Sequence, residues 1–204
     1  DEAELLDSML MVHAEHGGGN NSAFTARVVS STGTDTYSAI AAAIGSLKGP
    51  KHGGANERVV AMMEDIKKNV SDWADEDEVA AYIEKIINKK AFDNSGLVYG
   101  MGHAIYTLSD PRAVIIRNKA ESVIKNNPEK LKEFNLYRLI EKLTPDIFRR
   151  IKGLDRPMCA NVDLYSGFVY QTLGIPEELY TPLFAISRIV GWCAHRIEEI
   201  VAGG

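Results

Sequence analysis

The residues of this chain best suited to chemistry are its histidines. Of the five, His13, His16, His52 and His103 stand at or beside glycine-rich breaks, and only His195 falls inside a helical pattern. Loops that hold a titratable ring in place are where binding and catalysis concentrate. His52 is the most constrained, in the turn Gly49-Pro50-Lys51-His52-Gly53-Gly54-Ala55-Asn56 between two helical patterns. Near a helix start the positive end of the macrodipole disfavours an imidazolium, so the ring tends to stay neutral and can donate a hydrogen bond to a substrate carbonyl. That suits enolate chemistry. The competing reading is a turn whose glycines relieve strain around a solvated histidine.

Other motifs carry weaker signals. His13-Ala14-Glu15-His16 puts two imidazoles on one helix face, but it is not HExxH and no further ligand is apparent, so no metal site is expected. Gly100-Met101-Gly102-His103 resembles part of a phosphate loop without the preceding strand or the third glycine. Asp110-Pro111-Arg112 is a sound helix start, yet an arginine in a first turn opposes the dipole unless an anion sits nearby. Arg188, in Phe184-Ala185-Ile186-Ser187-Arg188-Ile189-Val190, must snorkel, pair or bind an anion. Asp163, in Cys159-Ala160-Asn161-Val162-Asp163, is either a cap or a partly desolvated general base.

The elements that must position these groups read as helices. Apolar residues recur at helical intervals over Glu2 to His13, Ser22 to Ser31, Thr36 to Leu47, Asn56 to Lys68, Glu76 to Lys89 and Asn161 to Leu173. Asp110-Pro111 and Pro128 open two more helices, the second broken near Pro145, and Pro176 to Val201 is a long one kinked at Pro182. The acidic run Asp75 to Glu78 is read as capping. No alternating pattern marks a strand, so the fold class is all-α. A length of 204 residues allows one large domain or two lobes, with 45% hydrophobic and 25% charged residues, as in ordinary globular chains. A net charge of -5 argues against nucleic acid as a partner. Cys159 and Cys193 form no CxxC pair and sit in apolar surroundings, which suits buried thiols in a reducing cytoplasm. The apolar run near the C-terminus is interrupted by Arg188, His195 and Arg196, and neither a leader nor a membrane segment is expected.

Taken together, His16, Gly17 to Ser22, the GPKHGGAN turn, Gly100-Met101-Gly102-His103, Asp110-Pro111-Arg112, Asn161-Val162-Asp163 and the helix from Ser187-Arg188 to Ala194-His195-Arg196 follow the order and spacing of citrate synthases. The chain closely resembles that family over essentially its whole length. The resemblance implies condensation of the methyl carbon of acetyl-CoA with the keto carbon of oxaloacetate, then hydrolysis of citryl-CoA, with no metal or redox cofactor. It assigns Asp163 to proton abstraction, His52 to hydrogen bonding the thioester carbonyl, and His103 to polarising and protonating the oxaloacetate carbonyl. His16, Arg112 and Arg188 would hold the oxaloacetate carboxylates, Ser22 with Asn20 would orient the catalytic histidine, and Leu97, Val98, Gly100 and Gly102 would approach CoA.

The resemblance also implies a small helical domain at 53–174, flanked by parts of a large helical domain at 1–52 and 175–204, with closure over the substrates and a homodimer in the cytoplasm. The chain has no counterpart of the family's N-terminal helical half or of the C-terminal segment that reaches the partner subunit. It is therefore expected to be a fragment that is inactive alone and exposes apolar helix faces. The rival readings are a 2-methylcitrate synthase using propionyl-CoA, one methylene larger, and a non-catalytic helical module that binds oxaloacetate or CoA.

Overall fold

Helical periodicity in the sequence becomes nine α-helices and one 3-10 turn among the residues described by the computed structural model, which are 1–103, 105–153 and 157–203. The helices are α1 (Glu2–His13), α2 (Asn21–Ser30), α3 (Thr36–Leu47), α4 (Ala55–Asn69), α5 (Glu76–Ile87), α6 (Pro111–Ile124), α7 (Pro128–Lys152), α8 (Asp163–Thr172) and α9 (Tyr180–Ala202). The described residues contain no strand, and their only extended pairing is an isolated antiparallel bridge between Met101 and Ala160. The all-α expectation therefore holds. No described helix is long and apolar enough to cross a membrane.

Caps fix several helix ends. Asp35 accepts from the Ser38 amide, Asp75 from the Asp77 and Glu78 amides, Asp110 from the Arg112 amide and Asn127 from the Lys130 amide, each satisfying donors that a first turn leaves open. The sequence reading is corrected at three places. Pro145 does not break α7, which runs unbroken for 25 residues. A proline inside a helix costs about 3 kcal/mol, but buried Phe134, Leu136, Tyr137 and Ile140 before it and Ile147 after it hold the helix on its neighbours. Pro182 does not lie in the interior of a long helix, because α9 opens at Tyr180 and the proline falls in the first turn, where its missing N–H would have no intrahelical partner. Cys159 is buried as expected, whereas Cys193 is only partly so.

The chain divides into two compact units. One comprises Asp1–Leu5 and Asn56–Gly174. In it α5 packs on α7, α6 on α7 and α8, and α7 on α8. Phe134 and Tyr137 of α7 meet Tyr165 and Phe168 of α8 in a ring cluster with centroids 5.2 to 6.3 Å apart. Lys67 of α4 reaches Glu133 of α7 at 2.7 Å.

The other unit comprises Leu6–Ala55 and Ile175–Gly204. Its core is Ala23 and Ala26 of α2, Ile40, Ala43 and Leu47 of α3, and Phe184 and Trp192 of α9. The alanines keep these three helices close. Buried Arg196 of α9 donates to Thr36 Oγ1 at 3.0 Å, Ser30 Oγ at 3.1 Å and the Thr34 carbonyl at 2.6 Å, which pins the turn between α2 and α3.

Candidate active site

The candidate residues fall into one group in each unit. In the unit containing α9, the short α2 begins just after Asn20, and its first turn carries Ser22 inward to zero exposure. Arg188, on α9, is also fully buried. Its Nε donates to the His13 carbonyl and its Nη1 to Asn20 Oδ1 at 3.1 Å, and its guanidinium lies 4.7 Å from the Phe184 ring centre. Buried charge of this kind needs hydrogen-bonded partners, and here backbone and amide oxygens supply them.

Asn20 leads on to the histidine. Ser22 Oγ lies 2.9 Å from Asn20 Oδ1 and 2.9 Å from His52 Nε2, and it accepts from Trp192 Nε1 at 3.1 Å. His52 sits in the turn between α3 and α4, its ring set edge-on to Phe184 at 6.3 Å. Burial, then the charges of Arg188 and His16, hold its pKa down to about 4, so the ring is neutral at pH 7. The neutrality expected from sequence is present, and its causes are burial and neighbouring cations. His13, paired in sequence with His16, is buried with its ring 4.5 Å from Phe184. No cluster of three or more metal-ligating side chains occurs among the described residues.

The His52 shift has a consequence for stability. The unfolded ring takes up a proton near the ordinary value of 6.5, while the folded ring resists until about pH 4. Between those values the unfolded state binds more protons, so stability falls as pH falls from about 6.5 to about 4. Urea midpoints of wild type and His52→Gln measured at pH 7 and at pH 4.5 check this. The variant should lose less stability over the interval, and an equal loss in both would remove His52 from the acid response.

In the other unit, α6 and α8 present the second group. Asp110 caps α6 and is buried. It accepts from Arg112 Nε at 3.0 Å and from Arg112 Nη2 at 2.8 Å. Burial raises the Asp110 pKa, but these bonds outweigh it and the carboxyl stays below its usual range. Asp110 is thus an anion already present beside the first-turn arginine. Arg112 Nη1 is buried without a hydrogen-bond partner among the described residues. An unmade charged bond of this kind suits an incoming carboxylate. Arg112 Nη2 also lies 3.5 Å from His103 Nε2, while His103 Nδ1 accepts from the Ile105 and Tyr106 amides at 2.9 Å. Because Nδ1 accepts, the ring hydrogen of neutral His103 is on Nε2. Burial first, and the Arg112 charge, lower its pKa, against the pull of Asp110.

Asp163 is the first residue of α8 and is half-buried, with its amide donating to Asn161 Oδ1 at 3.0 Å. Asn161, just outside the helix, also donates from Nδ2 to the Gly102 carbonyl at 2.9 Å and from its amide to the Gly100 carbonyl at 2.9 Å. Gly102 in turn donates to the Cys159 carbonyl at 2.7 Å. The glycine loop is thereby tied to the segment bearing Asp163. Val98 and Gly100 are buried and Leu97 is exposed.

Three contributors have no assigned role at the site in the sequence reading. Trp192, one turn after Arg188, donates to Ser22, and no local sequence signal marks that contact. Asp110 reads as a cap but also fixes Arg112. Asn161 reads as part of a motif but ties loop to helix.

The fold and these groups define an all-helical protein that sets a neutral imidazole beside one buried arginine and keeps a second arginine ready for a carboxylate. The family described as citrate synthase, C-terminal domain, matches residues 1–203. The chain belongs to the citrate synthase family. It is 41% identical over 198 residues to the citrate synthase of Deinococcus radiodurans, covering 97% of this chain and 48% of that protein. The citrate synthase of Synechocystis is 40% identical over 201 residues, covering 97% and 45%. Among solved structures, citrate synthase from Thermoplasma acidophilum in ternary complex with carboxymethyl coenzyme A and oxaloacetate matches with a TM-score of 0.76 and 33% identity, covering 98% of this chain and 48% of that one. Citryl-CoA lyase from Hydrogenobacter thermophilus matches with a TM-score of 0.68 and 26% identity, covering 97% and 69%. The chain spans about half the length of the curated citrate synthases it matches.

Proposed function

We propose that this chain carries citrate synthase chemistry, joining acetyl-CoA to oxaloacetate through an enol or enolate and hydrolysing citryl-CoA. The observation that carries the reading is His52, neutral at pH 7 and anchored by Ser22 beside the buried Arg188. A thioester α-proton is too weakly acidic for a carboxylate to remove unaided, so the oxygen that gains charge needs a preorganised donor. His52 fits that role and Asp163 fits the base. A neutral donor does not attract the nucleophilic carbanion the way a cation would, so charge remains on the carbon that must attack.

His103, its hydrogen on Nε2 beside Arg112, is suited to polarise and protonate the oxaloacetate carbonyl. Arg112, Arg188 and His16 are suited to hold carboxylates, and only arginine pairs with them bidentately. Leu97, Val98, Gly100 and Gly102 are assigned to the approach of CoA, where glycine backbone admits close contact. No metal or organic cofactor is required. In this reading 53–174 is the small domain and 1–52 and 175–204 are parts of the large one. A homodimer is part of the same reading, supported by the exposed Ile186, Val190, Ile197 and Ile200 on α9.

The deciding experiment follows free thiol released from acetyl-CoA with and without oxaloacetate. Oxaloacetate-dependent release supports the reading. Faster turnover of propionyl-CoA would move the assignment to 2-methylcitrate synthesis, since one methylene is worth only about 1 to 3 kcal/mol in a pocket. Oxaloacetate binding by calorimetry without thiol release would mark the chain as a non-catalytic module.

A further inference from the structure

Four residues on one stripe of α9 hold the end of α1 and the turn after it, all within the unit of Leu6–Ala55 and Ile175–Gly204. Ser187 Oγ donates to the Leu10 carbonyl and Arg188 Nε to the His13 carbonyl. One turn on, Gly191 is buried, and a Cβ there would overlap the Ala14 carbonyl and the Glu15 carboxylate, so glycine lets the two segments approach this closely. One turn further, His195 Nε2 lies 3.0 Å from Glu15 Oε1. A carboxylate can only accept, so Nε2 carries a hydrogen and donates it. Glu198 approaches the other ring nitrogen, Nδ1, at 3.4 Å and leaves Nε2 to Glu15.

Glu15 Oε1 is also the acceptor for the backbone amides of His16, at 2.8 Å, and of Gly17. Three donors on one oxygen need a full negative charge. Burial alone would raise the Glu15 pKa, but His195 and the two amides outweigh it and hold the carboxyl below its usual range. The turn so fixed carries the His16 ring and continues through Gly17, at φ +93°, whose carbonyl accepts from the Asn20 amide at 3.1 Å. The His16 ring is near enough to His52 for its charge to lower the His52 pKa. An ordinary surface ion pair would touch none of this backbone, whereas the Glu15 pair ends on it.

We propose that His195 is a positioning residue for His16, acting through Glu15. Its Nε2 hydrogen fixes the Glu15 carboxylate on the His16 and Gly17 amides, and the turn closed in this way sets where the His16 ring points. The His195 side chain is only 13% exposed, so little water competes for the bond. A group that binds a substrate carboxylate gains affinity when its direction is settled before the substrate arrives. The inference rests on the reading of His16 as a holder of an oxaloacetate carboxylate.

The test compares His195→Ala with His195→Gln, whose side-chain amide can donate to the same carboxylate. Amide hydrogen exchange of the 15N-labelled protein needs no substrate. In His195→Ala the His16 and Gly17 amides should exchange about three- to tenfold faster, the size of one hydrogen bond. The Ser38 amide on Asp35, in the same unit, should keep its wild-type rate. Calorimetry should show oxaloacetate bound about three- to tenfold more weakly, with kcat for thiol release at saturating oxaloacetate unchanged. His195→Gln should restore both. Glu15→Ala should reproduce the loss of affinity, and His195→Ala added to it should cost nothing more.

Unaltered His16 and Gly17 amides in His195→Ala, or losses that multiply fully in the double variant, overturn the proposal. So does a kcat that falls while affinity stays intact. If His195→Ala does not fold, Glu15→Ala decides the question, because the His195 Nε2 resonance must shift when its acceptor is removed, and an unmoved resonance overturns the proposal. A wild-type chain that binds no oxaloacetate would count against the proposed function, while the amide exchange rates still judge whether His195 seats the turn.

Discussion

Asp163→Asn should lower kcat for oxaloacetate-dependent thiol release by about 10² to 10⁴-fold, the usual contribution of a positioned general base. The change is isosteric and removes the proposed proton acceptor. The backbone contact that seats the residue, its amide on Asn161 Oδ1, does not involve the side chain and survives. Oxaloacetate affinity by calorimetry should be unchanged, since Arg112, Arg188 and the histidines are intact. Loss of turnover with preserved binding is the signature of an interaction made only on the way to the transition state. Turnover within tenfold of wild type would mean that another group takes the proton.

The second large effect is on stability. Gly100 has φ +81°, and a Cβ placed there would lie 2.8 Å from Leu164 Cα and 2.9 Å from Leu164 Cβ. An alanine therefore meets a left-handed backbone and a backbone clash together. Gly100→Ala should destabilise the protein by about 2 to 5 kcal/mol, from left-handed strain of about 1 to 2 kcal/mol plus overpacking of about 1 to 3. Gly102, at φ +92°, has open space where its Cβ would be, so Gly102→Ala should cost only the strain. Urea midpoints of the two variants separate the terms, and equal midpoints would show that Leu164 simply moves aside. Leu164 follows Asp163, so Gly100→Ala should also depress turnover beyond what the stability loss explains.

The fold was legible wherever local patterning decided it. Helix starts at Asp35, Asp75, Asp110 and Asn127 are capping chemistry readable from the residue types, and the structure shows each side chain accepting from the first turn. Pro145 was misread because propensity is local, whereas the aromatic packing that holds α7 together comes from residues of α8 far along the chain. Within the candidate site, the histidines, arginines and Asp163 stood out as charges or rings at glycine breaks and in apolar helices. Trp192 did not, because a tryptophan on an apolar helix face has the appearance of core packing, and nothing in its neighbours announces that its one polar atom meets Ser22 some 170 positions earlier. The double duty of Asp110 was hidden in the same way, since a cap and a guanidinium partner present the same residue type at the same position.

The stitching at Asn161 has a further consequence for how alignment is inherited. Its side chain ties the Gly102 carbonyl to the Asp163 amide, and Met101 bridges to Ala160. His103 follows directly on that loop. Asp163 and His103, in the roles proposed for them, are therefore held by one hydrogen-bonded stretch within a single unit. Their mutual alignment is settled once, when the chain folds, and the entropy of bringing the two into register is not spent again with each substrate molecule.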